Sequence, residues 1–170
     1  MSLPEKENLG QMASLESLPS EVWNRAASFC AYQERCELEV RAKLQELEVP
    51  DALIGSVLER LAEEGFLDER RFVESFVRGR FSIKKWGRVR IRQELKLRGI
   101  SDELILFGME LIEDEVYQEV LNGLADRKWA ATREANPFIK KAKLQRFLLF
   151  RGFETDLIRE TMERLSRQPS

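Results

Sequence analysis

The sequence contains no histidine. That absence removes the commonest general base near neutral pH and the usual zinc ligand, and with them any Ser-His or Cys-His pair within the chain. Neither GxxxxGK[ST] nor GxGxxG occurs, so neither of these phosphate-cradling loops is available. Carboxylates are plentiful, but they are spread at the spacing of a solvated helix surface rather than gathered into an acid–base pair. Nothing in these residues argues for an enzyme, and no metal is expected.

Cysteine is nearly absent as well. Cys30 and Cys36 are six residues apart, do not share a helix face and form no CxxC motif, so they read as free thiols of a reducing cytoplasm. No apolar run approaches the roughly 20 residues needed to span a bilayer; the densest, Phe147-Leu148-Leu149-Phe150, reads as a helix face. Residues 1–19, with Pro4, Gly10 and Pro19, lack the basic start and apolar middle of a secretory signal and are expected to form a disordered leader. Glycine and proline are sparse and runs of β-branched residues are missing, whereas Leu, Glu, Arg and Lys are abundant. Straight-chain residues lose little rotamer freedom in a helix, so the composition points to an all-α fold.

A repeat organises the chain. Residues 40–61 (VRAKLQELEVPDALIGSVLERL), 91–112 (IRQELKLRGISDELILFGMELI) and 144–165 (LQRFLLFRGFETDLIRETMERL) align without gaps. Each opens on an apolar residue, Val40, Ile91 or Leu144, with Leu44, Leu95 or Leu148 four positions on, the step of one helix face. Leu47, Leu97 and Phe150 follow in approximate register. Gly99 and Gly152 then suit left-handed helix C-caps, with Glu48 in the equivalent place, and a second helix begins at Pro50-Asp51, Ser101-Asp102 or Thr155-Asp156. A further helix precedes each pair, over residues 20–34, 68–81 and 116–135. The expectation is three tandem three-helix repeats, at residues 20–66, 67–115 and 116–167. Stacked together, they would form one continuous domain with the shape of an elongated, curved helical array.

Charge is segregated along this array. Residues 78–98 hold nine bases against the single acid Glu94, residues 102–119 hold seven acids and no base, and residues 127–151 hold eight bases against Glu134. A net charge of −2 hides these blocks. Lys84, Lys85, Arg88, Arg90 and Arg92 form the main candidate contact set for a polyanion or an acidic partner surface, with Lys96 beside them and Lys140, Lys141 and Lys143 as a second set. If corresponding helices line one side of the array, the two blocks make a single stripe. Phe81 and Trp86 are the aromatic side chains placed to stack on bases, with packing between units the better reading of Trp86.

YQERCELEVRAKL (residues 32–44), LAEEGFLDERRFVESFVRGR (61–80) and IKKWGRVRIRQELKLRGI (83–100) together resemble the RecX family of recombinase regulators, over residues 20–167. Cys36 stands where members often carry serine, the third repeat matches less closely, and the leader has no counterpart. The resemblance implies a fold of three tandem three-helix repeats and a non-catalytic cytoplasmic protein without a cofactor; a monomer is the default expectation for its oligomeric state. It implies binding to the RecA recombinase filament and lower growth, ATP hydrolysis, strand exchange and co-protease activity of that filament, in the setting of DNA recombination, DNA repair and the SOS response. Some members also contact single- or double-stranded DNA. The competing reading from the residues alone is a sequence-nonspecific nucleic-acid-binding module, against which the overall acidity argues.

Overall fold

The computed structural model describes residues 14–168, and among them every regular element is helical. The helices are α1 (Ser20–Tyr32), α2 (Glu37–Glu46), α3 (Asp51–Glu63), α4 (Glu69–Arg78), α5 (Arg88–Leu97), α6 (Asp102–Glu110), α7 (Asp114–Ala131), α8 (Pro137–Arg151) and α9 (Thr155–Ser166). They fall into three groups of three, as the repeat requires. The chain divides into two compact units, one ending at Asp68 and the other beginning at Glu69. Of the leader expected over residues 1–19, residues 1–13 lie outside the described residues. Leu15–Ser17 forms a short 3-10 turn, and Leu15 and Leu18 pack on the core of the first unit.

Burial follows the repeat. Val40, Ile91 and Leu144, and Leu44, Leu95 and Leu148 four residues on, are all fully buried, and Leu61, Ile112 and Leu165 at the ends of the second helices are buried. The C-caps also match: Glu48, Gly99 and Gly152 all have left-handed φ, at 60°, 71° and 93°. α6 is capped by Ser101, whose hydroxyl accepts the Leu104 amide, and α8 by Asn136, with Pro137 supplying the first turn. Cys36 stands at the N-cap of α2, where its amide donates to the Glu39 carboxylate at 3.1 Å. That position favours a small side chain with an acceptor atom. Both cysteines are buried and neither is in a disulfide, and burial pushes the Cys30 thiol up.

Two expectations change. The helix expected over residues 68–81 ends at Arg78 and widens into a π-turn over Gly79–Ile83, closed by the Lys84 amide reaching the Gly79 carbonyl. Gly79 is a poor residue for continuing an α-helix, and the wider turn places Phe81 in the interior. In the other change, Leu97 and Phe150 do not belong to the core: each is 74% exposed. Four consecutive apolar residues cannot all lie on one face of a 3.6-residue period, so in 147–150 Leu148 is buried and Phe150 points out.

In the second unit, α5 begins against the end of α8. The amides of Gly87 and Val89 donate to the carbonyls of Arg151 and Gly152 at 2.8 and 2.9 Å, and the Arg88 amide donates to the Tyr117 hydroxyl at 3.0 Å. A Cβ on Gly87 would overlap the Gly152 carbonyl, and a Cβ on Gly152 would overlap Arg90. Gly152→Ala combines that overlap with a left-handed φ and is expected to destabilise the second unit by about 2–4 kcal/mol. Glu48→Gly relieves a left-handed φ with no such contact and is expected to stabilise the first unit by up to about 1 kcal/mol. Urea denaturation of both variants checks the pair; equal midpoints for Gly152→Ala and the parent chain would contradict the junction.

Candidate partner-binding surface

The basic stretch 78–98 is split by its own structure into cations used internally and cations left free. The Arg88 guanidinium lies 4.1 Å from the centroid of the Tyr117 ring, donates to the Ile112 carbonyl at 3.0 Å and meets the Asp114 carboxylate at 2.7 Å. Arg90 lies 3.9 Å from the Trp86 ring and donates to the Phe150 carbonyl at 3.3 Å. Arg98 is held by the carboxylate and the carbonyl of Glu94 and sits 4.9 Å from the Phe76 ring. Arg88 and Arg90, both expected in the main contact set, therefore hold the second unit together. Their guanidinium groups are already engaged on carbonyls and rings of the chain itself.

Lys84, Arg92 and Lys96 are exposed, and among the described residues none has a carboxylate within ion-pair distance. Lys85 is half-buried, with a left-handed φ of 58° that turns the chain out of the π-turn. The Lys84 carbonyl accepts the Arg151 guanidinium at 2.6 Å. The first basic block and the C-terminal end of α8 are therefore contiguous. Exposed Ile83 and Phe150 belong to the same region. Arg151 and Phe150 were not expected there; the signal available in the sequence was the impossibility of burying all of 147–150.

The second candidate set is separate. Lys140 and Arg151 sit near opposite ends of α8, roughly 16 Å apart at about 1.5 Å per residue. Lys140 lies 4.3 Å from the Trp129 ring, Lys141 lines a groove between α8 and α9 with Arg159 and Arg167, and Lys143 pairs with Glu134 at 3.3 Å. The Asn136 amide and, next, Lys143 hold the Glu134 carboxyl below the usual carboxylate range. The aromatic expectations also divide. Phe81 is buried, stacked on Tyr117 at 5.8 Å and 26°, and offers no platform for a base. Trp86 is half-buried between the Arg80 and Arg90 guanidinium groups, in a packing role.

Beneath this surface, the Tyr117 hydroxyl donates to the Glu154 carboxylate at 2.6 Å, and its ring packs on Phe153 as well as on Phe81. Burial first, and the bond to Glu154 next, push the phenol well above its ordinary value of 10.0.

Known proteins resemble the chain along most of its length. Family models described as the first, second and third three-helix domains of RecX match residues 23–61, 68–106 and 115–162. The chain is 38% identical over 148 residues to a regulatory protein RecX of Pseudomonas entomophila, covering 86% of this chain and 93% of that one. It is 37% identical over 141 residues to another from Ectopseudomonas mendocina, covering 82% and 91%. The crystal structure of RecX from Lactobacillus salivarius superposes with a TM-score of 0.76 at 25% identity, covering 86% of this chain and 96% of that one.

The division of the basic residues is testable. Arg88→Ala is expected to lower the stability of the second unit by about 2–3 kcal/mol, chiefly through the Ile112 carbonyl and the Tyr117 ring, because the ion pair to solvent-exposed Asp114 contributes little. Arg92→Ala should stay within about 0.5 kcal/mol of the parent chain. Equal urea midpoints for the two variants would contradict the assignment. A pH dependence follows from Tyr117. The folded phenol keeps its proton where the unfolded one releases it, so its contribution is complete below pH 10.0 and is lost as pH rises above that value. Denaturation midpoints at increasing pH should fall more steeply for the parent chain than for Tyr117→Phe.

Proposed function

Because the chain belongs to the RecX family of regulatory proteins, we propose that it binds the filament formed by RecA recombinase on DNA and limits that filament's growth, ATP hydrolysis, strand exchange and co-protease activity. The observation that carries the reading is the free basic surface around Lys84, Lys85, Arg92 and Lys96, contiguous with the C-terminal end of α8. Among the described residues these charges have no carboxylate partner, so they are available to an external polyanion or acidic surface instead of neutralising a neighbouring helix. Several exposed cations held in a fixed arrangement give many weak contacts at once, which suits binding to a repeating assembly. In this reading the protein acts in the cytoplasm, in recombination and DNA repair, as a binding regulator without chemistry of its own.

A second reading, a module that binds nucleic acid directly and without sequence preference, draws on the same surface. It predicts tight binding to bare DNA that weakens steeply with salt. The near-neutral total charge favours the filament reading, since the acidic stretch 102–119 repels bare DNA.

The deciding experiment is single-stranded-DNA-dependent ATP hydrolysis by the cognate RecA with this protein added below RecA stoichiometry. The Lys84→Glu/Arg92→Glu double variant is run beside it, together with DNA binding over a salt series. Wild type should lower the ATPase severalfold and the double variant should not, while circular dichroism shows the same fold for both. Unchanged ATPase together with tight, salt-dependent binding to bare DNA would overturn the filament reading in favour of the nucleic-acid module.

A further inference from the structure

Phe150 is the open aromatic ring of the basic surface. It is 74% exposed, although it stands in the last turn of α8, beside the junction with α5. The Arg90 guanidinium lies over it, 5.1 Å from the ring centroid, and over the Trp86 ring at 3.9 Å. Arg90 also donates to the Phe150 carbonyl at 3.3 Å, so the backbone and the ring are held by the same side chain. A ring this exposed, with a guanidinium on one face, keeps its other face open to water. Its setting is fixed and its open face is unused.

The charges around the ring are of one sign. Arg151 follows it and donates to the Lys84 carbonyl at 2.6 Å, which brings Lys84 to the same end of α8. Arg146 stands one helical turn before Phe150 on the same side of α8. Lys84 and Arg146 are exposed. None of Lys84, Arg90, Arg146 and Arg151 is in an ion pair among the described residues. An open ring alone would suit any apolar partner. Set among cations that lack carboxylates, it suits a flat apolar group carried on a polyanion.

We propose that Phe150 is a stacking platform for an unpaired nucleobase, with Lys84 and Arg146 on phosphates of the same strand and Arg90 holding the ring from behind. Every base has a π-face, so the site needs no particular sequence. In a duplex the bases already lie face to face, and the ring has nothing to stack on. An acidic protein surface answers the cations but not the open ring face. The stacked base supplies attraction that survives salt, whereas the phosphate contacts weaken as salt rises. This rests on the reading that the surface meets the recombinase filament, and it names the polyanion met there as the single strand.

Fluorescence anisotropy with a labelled oligothymidylate and with an abasic strand of the same length separates the base from the phosphates. At low salt and without recombinase, the parent chain should bind the oligothymidylate about five- to tenfold more tightly than the abasic strand. Phe150→Ala and Phe150→Leu should bring the two strands to equal affinity and leave binding to a duplex unchanged, while Phe150→Trp should keep the difference. Lys84→Glu/Arg146→Glu should weaken both strands alike. Circular dichroism establishes that each variant folds. A parent chain that binds neither strand, that binds both equally, or that keeps the difference after Phe150→Ala would overturn the proposal. ATP hydrolysis by the cognate RecA separates the two readings. Equal affinities beside a lowered ATPase would sink the stacking site alone, and a Phe150-dependent difference beside an unchanged ATPase would sink the filament reading alone.

Discussion

The second unit depends on two helix ends satisfying each other. A helix leaves its first amides and last carbonyls without partners. Here the amides of Gly87 and Val89 at the start of α5 take the carbonyls of Arg151 and Gly152 at the end of α8. Such an exchange requires the two backbones to approach without side chains between them, which is why glycine stands on both sides. The electrostatics agree. The positive end of one helix dipole faces the negative end of the other, an arrangement that offsets the cost of placing Arg88 and Arg90 in the first turn of α5.

That junction decides what the rest of the region can do. Tyr117 and Glu154 bring two more polar groups to the α5 start, and Phe81, Tyr117 and Phe153 form the apolar tier beneath it. To put Phe81 into that tier the chain leaves the α-helix through a π-turn, and to leave the π-turn it passes through a left-handed Lys85. The outward Ile83 and Lys84 are consequences of that path. The surface proposed to meet a partner is the outside of the structure that holds the second and third helix triplets together, so its geometry is fixed before any partner arrives.

The sequence showed the repeat, its buried positions and its left-handed caps because each rests on short-range regularities: the helical period, and the rarity of a positive φ outside glycine. Even Glu48, which lacks the glycine of its counterparts, adopts the conformation its place in the repeat demands. The surface was less legible for the same reason. Whether Arg88 faces inwards depends on Tyr117 and Asp114, nearly thirty residues away and in another helix, and no local period encodes that. Phe150 misled because its place in the aligned repeat resembled a core position, while the neighbouring apolar residues already used the available face.

One local signal did separate structural from free cations, and it is the chemistry of the side chain. In stretch 78–98 the cations engaged on rings or carbonyls are arginines: Arg80, Arg88, Arg90 and Arg98. The lysines Lys84, Lys85 and Lys96 take no such internal role among the described residues, and neither do the arginines Arg78 and Arg92. A planar guanidinium can stack on an aromatic face and donate in two directions at once, whereas an ammonium is a hydrated point charge that loses more by leaving water. The rule holds here because the junction is built from aromatic faces and orphan carbonyls, which the guanidinium fits. It weakens in the third triplet, where Lys128 and Lys140 lie over the half-buried Phe147 and Trp129 rings and are themselves only half-buried. Residue type therefore predicts the role of a cation where the packing around it is tight, and that predictive value fades as the surroundings open to solvent.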